Sequence, residues 1–121
     1  MRRFILFFGI VVAMMLSCSS NRPHKPGGPY YFADFADYHV PVKLFHEISV
    51  DGIHGRKTYY EAFFDENGRL IRVCKYLEQS RDWEDVYYYS DSGKLAKRVM
   101  TKSDGTSIVQ HFDEHGRIRK E

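Results

Sequence analysis

Residues 63–70, Phe-Phe-Asp-Glu-Asn-Gly-Arg-Leu, are written twice more in altered spelling, as YYSDSGKL at 88–95 and HFDEHGRI at 111–118. The glycines Gly68, Gly93 and Gly116 stand 25 and 23 residues apart. Four places before each is an aromatic residue: Phe64, Tyr89 or Phe112. Three places before is Asp65, Ser90 or Asp113, one after is Arg69, Lys94 or Arg117, and two after is Leu70, Leu95 or Ile118. A hairpin loop built on a type I turn needs its next residue in the left-handed region, where glycine carries no Cβ penalty. Asp or Ser at the first turn position caps backbone N–H groups two residues on. In that geometry Asp65 faces Arg69, and Phe64 faces Leu70 across the hairpin, an aromatic–aliphatic pair contributing about 0.2–1 kcal/mol. The phrase is therefore a hairpin recipe. An upstream copy around Gly55 keeps Arg56 but lacks the aromatic and the aliphatic residue.

Working outward, β-branched and aromatic runs alternate with turn chemistry from Pro41 onward. The runs are 42–50, 57–64, 69–77, 83–89, 94–101, 106–112 and 117–120, broken by DGIHGR, DENG, EQSRD, SDSG, KSDG and DEHG. No gap is long enough for a parallel crossover. The fold class expected is mostly β: one antiparallel meander sheet of tandem hairpins. The short, charged last run is expected to blunt the sheet edge. Upstream, Tyr31, Phe35 and Tyr38 fall at helical spacing, and residues 30–39 are read as a helical turn or two packing aromatics on the sheet.

The first twenty residues belong to another class. Arg2 and Arg3 precede an apolar run from Phe4 to Leu16, then small residues, which is the layout of an export signal. As a helix this run spans about 20 Å, short of a membrane's ~30 Å hydrocarbon core. Residues 1–17 are read as a signal peptide that forms a helix. Residues 18–29 are read as a tether beginning at Cys18, with three prolines and two glycines in 19–29, and residues 30–121 as the β-repeat domain.

Met15-Leu16-Ser17-Cys18 resembles the lipobox of bacterial lipoproteins, with Met and Leu where that pattern prefers Leu and a small residue. The resemblance implies acyl chains on Cys18, attachment to a membrane of the bacterial cell envelope, and Cys18 as the first mature residue. Ser19 is compatible with outer-membrane sorting. The repeat itself resembles the YD repeat of RHS-type proteins and the MORN-variant repeats of bacterial antitoxin-like proteins. It does so through Phe64, Asp65, Gly68, Arg69 and Leu70, then Tyr89, Gly93, Lys94 and Leu95, then Phe112, Asp113, Gly116, Arg117 and Ile118. That likeness spans residues 59–121 and implies a small open sheet, with no catalytic residue to carry over.

Charge narrows the function. The chain has 18 basic and 16 acidic residues, and losing Arg2 and Arg3 leaves sixteen of each. Nucleic-acid binding needs a basic surplus for counterion release, so it is not expected. Cysteine offers no disulfide framework: with Cys18 lipidated, Cys74 lacks a partner. Arg72 and Lys75 beside Cys74 are of the kind that lowers a thiol's pKa, but no general base accompanies it. His111 and His115 have i, i+4 spacing, yet a hairpin turn separates them, so no metal site is expected. The carboxylate pairs Asp65/Glu66, Asp113/Glu114 and Glu84/Asp85 are read as solvated hairpin tips. No cofactor motif is present. Aromatic density points to a binding face, with Tyr59, Trp83, Tyr87 and Tyr89 as its candidate residues. The expectation is a lipid-anchored, non-catalytic module for a protein or glycan partner. The alternatives are an immunity protein that neutralises a secreted toxin, or an enzyme using Cys74 or His111/His115.

Overall fold

A computed structural model describes residues 25–37 and 39–119. The expected signal helix, Cys18, most of the tether and Tyr38 lie outside the described residues. Seven strands form one sheet: β1 Gly27–Ala36, β2 Lys43–Ile48, β3 Thr58–Phe64, β4 Leu70–Leu77, β5 Ser80–Tyr89, β6 Leu95–Lys102 and β7 Ser107–His111. Their spatial order is β2-β1-β3-β4-β5-β6-β7, and every neighbouring pair is antiparallel. The sheet is the antiparallel meander expected, with one departure in strand order: β1 inserts between β2 and β3. The connection from β2 to β3 passes through a 3-10 turn, Val50–Ile53, which packs on β1 and β2 and is capped by Ser49 Oγ accepting from Gly52 N–H at 3.2 Å.

Three readings of the sequence are corrected. Residues 30–36 are strand, not helix, and the strand already begins at Gly27 within the segment read as tether. Extended geometry wins because β1 has a partner on both sides, pairing Phe32 with Glu47 of β2 and with Tyr60 of β3. The segment EQSRD is mostly strand: the β4–β5 turn is only Glu78-Gln79, both at positive φ (49° and 70°). Of the last run, 117–120, the described residues 117–119 form no strand. They make a single bridge, Ile118 to Phe112, and one bond from Arg119 N–H to His111 O at 2.7 Å.

The repeated phrase folds as its chemistry dictates. Asp65 N–H donates to Arg69 O and Gly68 N–H to Asp65 O, each at 2.9 Å, and the pattern recurs at Ser90–Lys94 and Asp113–Arg117. Asp65 Oδ1 accepts from the N–H groups of Asn67 and Arg69, both at 2.9 Å. Gly68 sits at φ 80°, the conformation that costs any other residue a Cβ clash. The aromatic–aliphatic pairs form as expected: Phe64 with Leu70, Tyr89 with Leu95 and Phe112 with Ile118. The same loop also closes at Lys102–Thr106 around Gly105, not at Gly55.

Because the three phrases are two strands apart, their turns share one end of the sheet and hand contacts forward. The Arg69 guanidinium lies 4.8 Å over the Tyr89 ring of the next copy, and Tyr89 OH donates to Leu70 O at 2.6 Å. Lys94 Nζ reaches the third copy, donating to Glu114 O at 2.9 Å.

Side chains alternate between faces along each strand. One face carries Tyr60 and Ala62 on β3, Leu70 and Val73 on β4, and Tyr87 on β5, joined by Phe32 in the buried core. The β1–β2 connection folds over it, burying Val42. Fully burying the Val, Leu and Phe side chains among these contributes about 1.5–3 kcal/mol each. The opposite face carries Tyr31, Tyr59, Glu61, Cys74 and Tyr76. There Tyr59 and Tyr76 stack at 5.1 Å, and Glu61 accepts from Tyr31 OH and Tyr76 OH, each at 3.4 Å.

A candidate cleft over the buried Asp85–Arg98 pair

Strand β5 sets Trp83, Asp85 and Tyr87 on the core face at successive alternate positions, and β6 brings Lys102, Met100 and Arg98 opposite them in register. Asp85 is the buried charged residue among the described residues, and its Oδ2 collects three donors. Arg98 Nη2 lies at 2.6 Å, Arg98 Nε at 3.1 Å and Tyr87 OH at 3.0 Å. The Tyr87 oxygen in turn accepts the Val42 N–H at 3.3 Å, which pins the β1–β2 connection to the sheet. Arg98 Nη1 donates to Gln110 Oε1 of β7 at 3.5 Å. Burial and the Asp85 carboxylate push the Tyr87 phenol above its ordinary value, so it remains a neutral donor. A buried carboxylate is costly unless charge and hydrogen bonds offset it, and this network supplies both.

Above the pair lies a cleft of about 260 Å³. Phe35, Asp37 and Val42 wall one side, Trp83, Met100 and Ile108 the other, and Asp85, Arg98 and Lys102 supply charge. Phe35 fixes that rim by packing 4.7 Å from Tyr60 and 5.6 Å from Trp83. The volume lies just below the ~300 Å³ lower end of small-molecule pockets, which suits a single ring or one side chain of a partner. The four charged groups, Asp37, Asp85, Arg98 and Lys102, sum to zero. Apolar walls with a few convergent polar groups are what a binding pocket requires.

The chain belongs to DUF6156, a family of unknown function. That family matches residues 24–121, which take in the whole described sheet. No curated protein and no solved structure matches the chain.

The four aromatic residues singled out from this DUF6156 sequence do not share one exposed face. Trp83 lines the cleft. Tyr87 is a core residue, 2% exposed, beneath it. Tyr89 is on the same face but is engaged with Leu70 O under Arg69, and burial followed by the Asp65 charge raises its phenol to about 12. Tyr59 is buried on the opposite face. Glu84 and Asp85 are corrected as well: they lie mid-strand on β5, not at a hairpin tip. Glu84 pairs with Arg72 on the far face, while Asp85 enters the core.

Cys74 is fully buried, and burial pushes its thiol up, an effect that Arg72 only partly offsets. Lys75 does not assist, since it alternates to the other face and pairs with Asp82 at 3.6 Å. His111 ends β7 and His115 sits in the following turn. Among the described residues no group of three or more His, Cys, Asp and Glu side chains is placed to hold a metal ion. Sequence inspection missed Arg98, Met100 and the Phe35–Val42 rim. No local signal marked the pair, since Asp85 follows Glu84 and Arg98 follows Lys97 in charged stretches.

Proposed function

We propose that this chain is a lipid-anchored module of the bacterial cell envelope, attached through Cys18, that binds a protein or glycan partner without transforming it. The cleft beside Trp83 is where it does so. The observation that carries this reading is an apolar-walled recess floored by the Asp85–Arg98 pair, whose Asp85 Oδ2 accepts from Arg98 and Tyr87. Such a floor holds its polar groups in fixed positions for an incoming group. Aromatic anchors beside desolvated pockets dominate binding energy at protein interfaces, and Trp is prominent among them. Cys18 supplies the membrane attachment and the aromatic-walled cleft supplies recognition.

The test is capture from solubilised envelope and on a glycan array, using the full chain as bait. Trp83→Ala is expected to abolish capture, whereas Tyr88→Ala, an exposed aromatic on the opposite face, leaves it intact. Equal capture by both variants would refute the cleft as the binding site. The anchor is tested separately: Cys18→Ala is expected to move the chain from the membrane fraction to the soluble one.

A further inference from the structure

The sheet has two edges, β2 and β7, and they are built differently. Strand β2 is guarded. Lys43 and Glu47 lie on it, and His46 breaks its extended path at φ 60°, with its ring held by Asp34 at 2.7 Å. Charges and irregular backbone are the usual protection of an edge. Strand β7 reads Ser-Ile-Val-Gln-His, with no Lys, Arg, Asp, Glu or Pro, and Ile108 and Val109 are 44% and 51% exposed.

The hydrogen-bond phase of β7 is fixed by Phe112 N–H donating to Ala96 O at 3.0 Å and by Lys102 N–H donating to Thr106 O at 2.9 Å. Residues 106, 108, 110 and 112 therefore bond inward to β6, and Ser107, Val109 and His111 point their backbone groups outward. His111 O is occupied by Arg119 N–H. Ser107 and Val109 have no backbone partner among the described residues.

We infer that β7 pairs antiparallel with β7 of a second copy of this chain, about a two-fold axis through Ile108. The free groups select that axis. Centring it on Val109 would set Ser107 against His111, whose carbonyl is already engaged. Centring it on Ile108 sets Ser107 against Val109 of the other copy, twice, and each pair exchanges both backbone bonds. The strand carries no Lys, Arg, Asp or Glu, and the proposed axis sets Ile108, not His111, against its own copy, so self-pairing juxtaposes no like charges. A head-to-tail contact would need β2, the guarded edge, so the closed two-fold arrangement is selected. Ile108 also lines the Trp83 cleft, so pairing places two clefts on one continuous face, meeting across the two Ile108 side chains.

The register makes the test specific. Ile108 faces its own copy in a non-hydrogen-bonded pair, with Cα atoms about 4.5 Å apart. That is within disulfide reach. Mild oxidation of the full-length Ile108→Cys chain in detergent micelles should give a covalent dimer well above the background of the parent chain. Val109→Cys, which faces Ser107, should stay at background. Sedimentation equilibrium of the parent should show a dimer that dissociates on dilution. That dimer should be lost in Ile108→Lys, which juxtaposes two ammonium groups. It should also be lost in Val109→Pro, which removes an outward N–H without touching the β6 ladder. A parent chain monomeric at every concentration, or equal cross-linking of the two cysteine variants, would overturn the proposal.

Discussion

Arg98→Leu puts the buried pair at risk in a measurable way. The substitution keeps an apolar stem on β6 but leaves Asp85, whose side chain is 4% exposed, without its cation. Removing one partner of a buried ion pair costs about 3–5 kcal/mol. Arg98 keeps 15% of its side-chain surface in the open cleft, so the lower end applies, roughly 3 kcal/mol. At a slope near 1.5 kcal/mol per molar urea, the unfolding midpoint falls by about 2 M. The partner variant Asp85→Asn with Arg98→Leu removes both charges and retains a side-chain oxygen for Tyr87 OH. It should recover most of the loss, since replacing a whole buried pair is close to neutral. The assay is equilibrium urea unfolding of the parent, both single variants and the double variant, read as a double-mutant cycle. A loss below about 1 kcal/mol for Arg98→Leu would mean that the pair behaves as a surface salt bridge. A double variant as unstable as the sum of the singles would likewise refute the network.

The acid limb of stability should report Asp65. Burial raises its pKa, but the N–H groups of Arg69 and Asn67 and the Arg69 guanidinium outweigh that and hold it below the ordinary carboxylate range. A carboxylate depressed on folding contributes stability above its unfolded pKa of about 3.9 and loses it as pH falls through the folded value. Asp65→Asn should therefore flatten the decline below about pH 4 relative to the parent; an unchanged slope in acid titration of the unfolding midpoint would contradict it. Gly93→Ala and Gly105→Ala both place a Cβ at positive φ, a cost of about 1–2 kcal/mol. At Gly93 the new atom also meets Arg69 Nη1 at 3.2 Å, while at Gly105 it meets open space. Gly93→Ala should consequently melt lower, and equal melting temperatures would show that the hand-over from Arg69 to Tyr89 adds nothing. Cys74 should resist thiol reagents in the native chain at neutral pH and react only after denaturation; rapid native labelling of Cys74, located by peptide mapping, would contradict its burial.

The turns were legible because their chemistry is local. Asp65, Gly68 and Arg69 contact one another, and a short-range rule places them. The Glu78-Gln79 turn was not, since neither residue advertises positive φ; strand pairing on both sides imposes it. For β1 the periodicity misled. Tyr31 and Phe35 are four apart in a segment that two neighbouring strands hold extended, and tertiary pairing overrides so short a pattern. The cleft was the least legible part. Asp85 and Arg98 are thirteen residues apart, and only the β5–β6 register, shifted by a bulge between Tyr88 and Tyr89, makes them diagonal neighbours on one face. Its rim comes from Phe35 at the end of β1 and from the β1–β2 connection, whose path no local motif dictates.

The forward reach of each repeat has a consequence for how chains of this kind can vary in length. Arg69 and Lys94 both reach the unit after their own, one over the Tyr89 ring and the other to the Glu114 carbonyl, so a basic residue at this position serves each junction. A segment of 23 to 25 residues inserted or removed between copies leaves every junction chemically familiar. Relatives should therefore differ by whole two-strand increments, with intermediate lengths selected against.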